Sequence, residues 1–172
     1  MVLKGHVIAA CIAGALFGAT YLYITYVNGA ERHYSNALRF LNGEDDFPIS
    51  TDIAMTAFER AGKCGHAQAY RHLGEMKMAR DEDFAAVAAW GKAVRMGDAM
   101  SARLLGEFYE TTSVDLPEAR KKELAYISYS LGGCLGDEEL RRKAEALRSE
   151  VSPQAREDAA SFCADIAKNR SR

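Results

Sequence analysis

Three arginines recur at equivalent positions of this sequence and could bind carboxylates. Arg71, Arg103 and Arg142 are separated by 32 and 39 residues, the same shifts that relate neighbouring copies of a repeat described below. A guanidinium group offers forked donors that match a carboxylate, so an arginine ladder would suit acidic groups of a partner protein. Alternatively, each arginine lays its alkyl stem between repeats and pairs with a glutamate one helical turn on, such as Glu75 or Glu107. The sequence leaves both interpretations open.

Other reactive side chains form no recognisable catalytic or metal-binding pattern. Cys64, His66 and His72 carry possible metal-ligating atoms, but positions 66 and 72 fall on different faces of a helix and a fourth ligand is missing. No S-x-x-K or K-T-G sequence occurs, nor any other nucleophile–base motif. We therefore expect no catalytic residues, no metal, no cofactor and no small-molecule substrate.

The overall charge argues against a nucleic-acid partner. The 172 residues carry a formal net charge of −2 and a pI near 6.1, without the basic stripe that nucleic-acid binding requires. Four cysteines, at positions 11, 64, 134 and 163, form no CxxC pair and no spacing that indicates a disulfide framework. Cysteine usage alone leaves the redox compartment undecided.

A phrase that occurs twice indicates which elements position the arginines. GHAQAYRHLGEM begins at Gly65, and GDAMSARLLGEF begins at Gly97. The residues matched by this shift are Phe58/Trp90, Ala61/Ala93, Gly65/Gly97, Ala67/Ala99, Leu73/Leu105, Gly74/Gly106 and Glu75/Glu107. A weaker third copy has Tyr129, Gly132, Gly136 and Asp137 in place of Trp90, Ala93, Gly97 and Asp98. Self-similarity at such a period indicates a repeat protein whose units stack to bury a shared core.

Apolar residues at helical spacing predict helix pairs from residue 31 onward. No run alternates long enough to indicate a strand, and Pro48, Pro117 and Pro153 fall between the periodic segments. The predicted pairs are 31–42 with 50–63, 66–79 with 82–96, 98–111 with 118–134, and 137–150 with 153–168.

Glycines and aromatic residues hold equivalent positions in the second helices of these pairs. Gly65, Gly97 and Gly136 follow the helices and suit left-handed C-terminal caps. Trp90 and Tyr129 occupy one register, where packing between repeats is favoured over a platform for a ligand.

The copies resemble the Sel-one-like repeat, a relative of the tetratricopeptide repeat. Its first-helix pattern A-x-x-x-L-G is matched from Ala69 to Gly74, and the next copy has Ser101 to Gly106. Its second-helix pattern K-A-x-x-W-Y-x-K-A-A-x-x-G-(N/D) is similar to AAVAAWGKAVRMGD and LAYISYSLGGCLGD. The C-terminal SPQAREDAASFCADIAKN looks like the closing helix of bacterial members. The resemblance covers about residues 50–169.

This resemblance implies an all-α, right-handed α-solenoid of about four helix pairs that binds other proteins. Stacked helix pairs offer an extended concave surface on which a partner can lie. Two family features are absent: neither copy has the G-x-G-V turn between its helices, and Gly62 and Tyr70 stand where the secreted, disulfide-stapled branch has paired cysteines.

An uncharged stretch, residues 7–27, precedes the repeats. At about 1.5 Å per residue its 21 positions would span roughly 31 Å, close to the hydrocarbon core of a bilayer at about 30 Å. We predict a transmembrane helix. The alternative is a cleavable signal peptide, but its apolar region should cover only about 7–15 residues and end in a small-residue site.

Two sets of residues within this predicted helix suggest how it would sit in the bilayer. Ala10, Gly14 and Gly18 recur every fourth residue and would form a packing face for another helix, although a single GxxxG also arises by chance. Tyrosines gather at the distal end, where their rings would anchor at headgroup level. These tyrosines are Tyr21, Tyr23 and Tyr26.

The positive charges around the predicted helix are nearly balanced, with Lys4 before it and Arg32 and Arg39 after it. A short amino-terminal tail favours a bacterial inner-membrane protein whose C-terminal domain lies outside the cytoplasm. The predicted domains are 1–30, the transmembrane helix and its tail; 31–49, a connecting helix and linker; and 50–172, the solenoid with a C-terminal capping helix.

Two functional classes fit this organisation. The first is a membrane-anchored scaffold or accessory subunit that binds partners through the solenoid and packs its transmembrane helix into a larger membrane complex. The second is a membrane-tethered inhibitor of the immunity type that binds a toxin or an enzyme. An inhibitor should bind with the solenoid alone, whereas an accessory subunit should need the membrane helix.

Overall fold

The computed structural model describes residues 29–44 and 46–170 of the chain. The predicted transmembrane helix 7–27 lies outside these residues. So do its predicted packing face and anchors, which are Ala10, Gly14, Gly18, Tyr21, Tyr23 and Tyr26. Among the helices in the described ranges, none combines the length and the apolar character that crossing a membrane requires.

The described residues are all-α and contain no strand. The helices are α1 (29–42), α2 (Thr51–Lys63), α3 (Ala67–Met78), α4 (Asp83–Arg95), α5 (Ala99–Thr111), α6 (Glu118–Cys134), α7 (Glu138–Leu147) and α8 (Pro153–Arg170). A short 3-10 helix, Arg148–Glu150, follows α7. The helix pairs predicted from the sequence agree with these bounds to within three residues at each end.

Contacts divide the chain into two units, Met1–His66 and Ala67–Arg172. In the first unit, α1 and α2 are antiparallel, since the Ser50 amide donates to the Phe40 carbonyl at 2.9 Å where the two helices connect. At their other end, the Tyr34 ring stacks on His66 with centroids 3.9 Å apart and contacts Phe58 at 5.7 Å. These contacts leave Phe58 fully buried between the helices.

The second unit, called the repeat unit below, is a stack of neighbouring helices. Helix α3 packs on α4, α4 on α5, α5 on α6, and α6 on both α7 and α8. One apolar core runs through these helices. Its largest members are Trp90, Leu105, Tyr126, Tyr129, Leu140 and Ile166. Most of these helices are too short to be stable alone, so burial in the shared core stabilises the stack.

In the pairs α3–α4 and α5–α6, the close approach of the two helices depends on a glycine that faces an aromatic ring. A Cβ on Gly74 would overlap the Trp90 indole, and a Cβ on Gly106 would overlap the Tyr129 ring. The glycine position of the first helix and the aromatic position of the second helix therefore meet in both repeats. Trp90 and Tyr129 are 3% and 0% exposed, which confirms that they are core residues rather than ligand platforms.

The helix ends also recur at equivalent positions, with a glycine after each of the second helices α2, α4 and α6. Gly65, Gly97 and Gly136 have φ values of +98°, +97° and +105°, which confirms the predicted left-handed caps. The residue after the second and third of these glycines is an aspartate, Asp98 or Asp137, whose carboxylate caps the next helix.

We expect Gly106→Ala to lower the free energy of unfolding by about 1–3 kcal/mol, because the new methyl group must displace the buried Tyr129 ring. Gly91→Ala is the matched control, since its Cβ would lie 3.9 Å from the nearest atom, on Arg95. That change should stabilise the helix by up to about 1 kcal/mol. Chemical denaturation of the full chain in detergent measures both, and equal effects would contradict the glycine–ring contact.

Candidate protein-binding surface

Arg103 forms the strongest charge cluster of the repeat unit. Its Nη1 and Nη2 atoms donate to the two carboxylate oxygens of Glu139, each at 2.8 Å, and Nη2 also donates to Asp137 at 3.2 Å. These bonds raise the pKa of Arg103, chiefly through Glu139. Arg103 is in turn the largest cause of the lowered pKa of Glu139.

The cluster joins two consecutive repeats, because Asp137 is also the N-terminal cap of α7. Its carboxylate accepts from the backbone amides of Glu139 at 3.0 Å and Leu140 at 3.1 Å. The Leu140 amide is the main cause of the lowered pKa of Asp137, and Arg103 contributes after it. Arg103 on α5 therefore binds the N-terminal end of α7, the first helix of the following pair.

Arg71 repeats this arrangement one repeat earlier, on α3. Its Nη1 lies 3.6 Å from Oδ1 of Asp98, the N-terminal cap of α5. Asp98 also accepts from the Ser101 amide at 2.9 Å and from the Ser101 hydroxyl at 2.6 Å. Because Ser101 is fully buried, the capping aspartate is anchored in the core as well as to the arginine.

Arg142, the third member of the register, is exposed on α7. Its Nε donates to the Glu138 carbonyl at 3.4 Å, and within residues 29–44 and 46–170 it pairs with no carboxylate. Two of the three arginines thus serve contacts between repeats. Partner binding by this register stays a prediction, and it depends most on Arg142.

The arginines pair with different acids from the intrahelical glutamates considered in the sequence. Glu75 contacts His72 Nδ1 at 2.9 Å, and Glu107 lies 3.6 Å from Lys143. The carboxylates that Arg71 and Arg103 reach belong to the following repeat. Helical spacing alone therefore could not predict that these arginines pair with acids of the next repeat rather than with acids of their own helix.

A groove with a volume of about 440 Å³ crosses α6 between α4 and α8. Its floor is apolar and comes from helices that are distant in sequence. The floor residues are Val94, Leu105, Leu131 and Ile166. The groove combines an apolar floor with space for bulky side chains, as protein-binding grooves do.

The rim of the groove carries charges and one exposed ring. Phe162 on α8 is 50% exposed, although it lines the groove. Arg95, Asp165 and Lys168 complete the rim. Among the residues that the structure describes, Arg95 pairs with no carboxylate. The groove thus offers an apolar anchor point beside a guanidinium group that can donate hydrogen bonds to a carboxylate of a partner.

A disulfide between Cys134 and Cys163 fastens one wall of the groove. It joins the last residue of α6 to the middle of α8, with 5.8 Å between the two Cα atoms. Cysteine spacing in the sequence did not predict this bond. The two cysteines are separated by 29 positions, and α7 lies between them, so only the packing of α8 against α6 brings the sulfur atoms together. Cys163 adjoins Phe162 in the sequence, so the bond fastens to α6 the part of α8 that carries this ring.

The groove itself was missed in the sequence, since its walls are about seventy positions apart along the chain. The only local signal is the four-residue spacing of Phe162 and Ile166, which places both on one face of α8. Nothing in that spacing identifies α4 as the opposite wall.

Arg103→Gln should weaken the acid dependence of stability. Asp137 and Glu139 have folded pKa values below their ordinary 3.8 and 4.5, so they stabilise the fold above those values and lose this contribution as the pH falls through the folded values. The wild type should therefore be more stable than the variant near neutral pH, and the difference should shrink as the pH falls below about 4.5 and through the lowered folded pKa values.

Urea unfolding at several pH values measures this difference. Asp137 keeps its bond from the Leu140 amide in the variant, so some acid dependence should remain. Arg142→Gln is the control, because Arg142 reaches no carboxylate in the described part of the chain. If both variants showed the same pH profile as the wild type, the Arg103 cluster would contribute nothing to stability.

Removal of the disulfide should cost about 3–4 kcal/mol of unfolding free energy, as expected for a closed loop of 29 residues. Cys134→Ser/Cys163→Ser tests this in denaturation experiments with and without reductant. Cys64→Ser is the control, since Cys64 is a free thiol. Reductant should destabilise the wild type and the control and leave the double variant unchanged, whereas an equal response of all three would argue against the bond.

Comparison with known proteins extends the evidence on the fold. No family model and no curated protein matches the chain. The crystal structure of a Sel1 repeat protein from Oxalobacter formigenes is similar, with a TM-score of 0.53 and 21% sequence identity over 75% of this chain and 98% of that one. An identity this low shows the fold alone. The all-α fold of the described residues is therefore that of a Sel1-like helical repeat, as the duplicated phrase predicted.

Proposed function

We propose that this protein is a membrane-anchored scaffold or accessory subunit that binds another protein in the groove of its repeat unit. The observation that carries the proposal is the groove itself, with its apolar floor, the half-exposed Phe162 and an Arg95 guanidinium that reaches no acid in the described residues. Interfaces concentrate their binding energy on such apolar and arginine anchors.

The chemistry of the groove suits one kind of partner segment. Its apolar floor would take the bulky side chains of an amphipathic helix, which binds a groove through residues spaced three and four apart. A carboxylate on that helix would pair with Arg95, and the charged residues on the rim would remain at the solvent edge. The partner is therefore an amphipathic helix with an acidic residue beside its apolar face.

The disulfide supports a repeat unit outside the cytoplasm. Such bonds form and persist in oxidising compartments and are rare where thioredoxin and glutathione keep thiols reduced. Cys134 and Cys163 would be bonded in the periplasm of a bacterium. This agrees with the orientation expected from the short amino-terminal tail.

Anchoring rests on the sequence of residues 7–27. In this proposal Ala10, Gly14 and Gly18 pack against a helix of a membrane complex, and the tyrosines that follow lie at the headgroup level. The groove then holds a soluble segment of the same or another subunit.

Capture of the full chain from its native membrane in gentle detergent should recover a stoichiometric partner. Phe162→Ser and Arg95→Glu should each reduce that recovery at least about tenfold, as expected for loss of an interface anchor. Phe84→Ser is the matched control, because Phe84 is 83% exposed on α4 and does not line the groove. Loss of the partner with Arg142→Glu alone would instead assign binding to the arginine register.

The same capture separates the two functional classes. Gly14→Leu/Gly18→Leu should break the assembly of an accessory subunit, which needs its membrane helix. An immunity-type inhibitor should keep its partner in that variant, because the solenoid alone would bind the toxin or enzyme. Recovery that no groove substitution changes would rule out the groove as the binding site.

A further inference from the structure

A second concave site lies in the first unit, between α1 and α2. It has a volume of about 370 Å³. Each helix contributes one face, because the lining residues recur at helical spacing. From α1 these are Arg32, His33, Asn36 and Phe40, and from α2 they are Ile53, Thr56, Ala57 and Arg60. We call this site the α1–α2 cleft.

The α1–α2 cleft has a basic end and an apolar end. Since α1 and α2 run antiparallel from the connection at Phe40 and Ser50, Phe40 and Ile53 lie together near that connection. Arg32 and Arg60 lie at the opposite end, about 12 Å further along α1 at the usual helical rise. Half-buried His33 adds ring nitrogens at this end.

The positive charge of the basic end is not neutralised within the described part of the chain. Neither Arg32 nor Arg60 pairs with a carboxylate there, and no aspartate or glutamate is among the described residues that line the cleft. Two glutamates occupy neighbouring sequence positions but contact other residues. Glu31 lies 3.3 Å from His66 Nε2, and Glu59 lies 2.7 Å from Lys63.

We propose that the basic end of the α1–α2 cleft binds a phosphate group. Two guanidinium groups that line one cleft, with no acid among its described lining residues, offer paired donors that match phosphate oxygens. Half-buried Asn36 and His33 can add donors to the remaining oxygens.

Two sources could supply the phosphate: an anionic lipid headgroup or a free phosphate compound. The position of the basic end favours the headgroup, which rests on the membrane anchoring proposed above. Arg32 follows Val27, the last residue of the predicted transmembrane segment, by five positions. If the chain were helical over these positions, the rise of about 1.5 Å per residue would give about 7.5 Å, and the headgroup layer on each side of a bilayer is about 5–7 Å thick.

The test uses the full chain, purified in detergent and freed of bound lipid. Titration with inorganic phosphate by calorimetry measures the anion site directly. Incorporation into nanodiscs of phosphatidylcholine and phosphatidylglycerol, followed by native mass spectrometry of the released protein, measures retention of the anionic lipid. Arg32→Gln/Arg60→Gln removes the site, and Arg142→Gln/Arg148→Gln removes the same charge from the exposed surface of the repeat unit.

Phosphate affinity and retention of phosphatidylglycerol should both fall at least about tenfold in Arg32→Gln/Arg60→Gln and stay at wild-type values in the control. Phosphate binding without preference for phosphatidylglycerol would retain the site and assign it to a soluble phosphate compound. Equal effects of the two double variants would overturn the proposal, as would glutarate binding as tightly as phosphate. Both side chains are exposed, so circular dichroism should show unchanged helix content.

This outcome is independent of the groove. Neither Arg32 nor Arg60 lines the groove of the repeat unit, so loss of partner capture by Phe162→Ser leaves the phosphate measurement unaffected. Conversely, failure to bind phosphate leaves the scaffold proposal standing.

Discussion

The repeat unit depends on how closely two helices approach where a glycine faces an aromatic ring. Gly74 admits the Trp90 indole, and Gly106 admits the Tyr129 ring, so each ring lies against the backbone of its partner helix. The polar end of each ring is also satisfied, since Trp90 Nε1 donates to the Arg71 carbonyl at 3.2 Å and Tyr129 donates to Glu110 at 2.7 Å. These bonds set the register of the helices along each other as well as their separation.

That register places the arginines of one repeat beside the capping aspartates of the next. Once α5 and α6 are packed, α7 begins within reach of Arg103, and the capping carboxylate of Asp137 serves both its own helix and the arginine. The same side chains that resemble a binding ladder in the sequence therefore contribute to the stacking of the solenoid. Arg142 lies on α7, the first helix of the last pair. Within the described residues, the next α-helix is preceded by Ser152 rather than by an aspartate, and Arg142 stays exposed.

Two concave surfaces, the groove and the α1–α2 cleft, are separate from these contacts between repeats. In the repeat unit, one wall of the groove is the closing helix α8, which the Cys134–Cys163 bond fastens to α6. In the first unit, the α1–α2 cleft carries Arg32 and Arg60 at one end. One surface is apolar and includes the Arg95 guanidinium, which pairs with no carboxylate among the described residues, whereas the other is cationic. The two units therefore suit different classes of ligand.

The sequence by itself determined the features that depend on neighbouring residues. Helical periodicity, the glycine caps such as Gly97 and the repeated registers of Gly74 and Trp90 were all predictable, because each reflects the backbone preference or packing need of one helix pair. The tertiary structure alone decided which acids the arginines reach, which cysteines bond and where the groove and the cleft lie. These features join residues whose separation along the chain carries no information, since only the rotation and stacking of packed helices bring such side chains together.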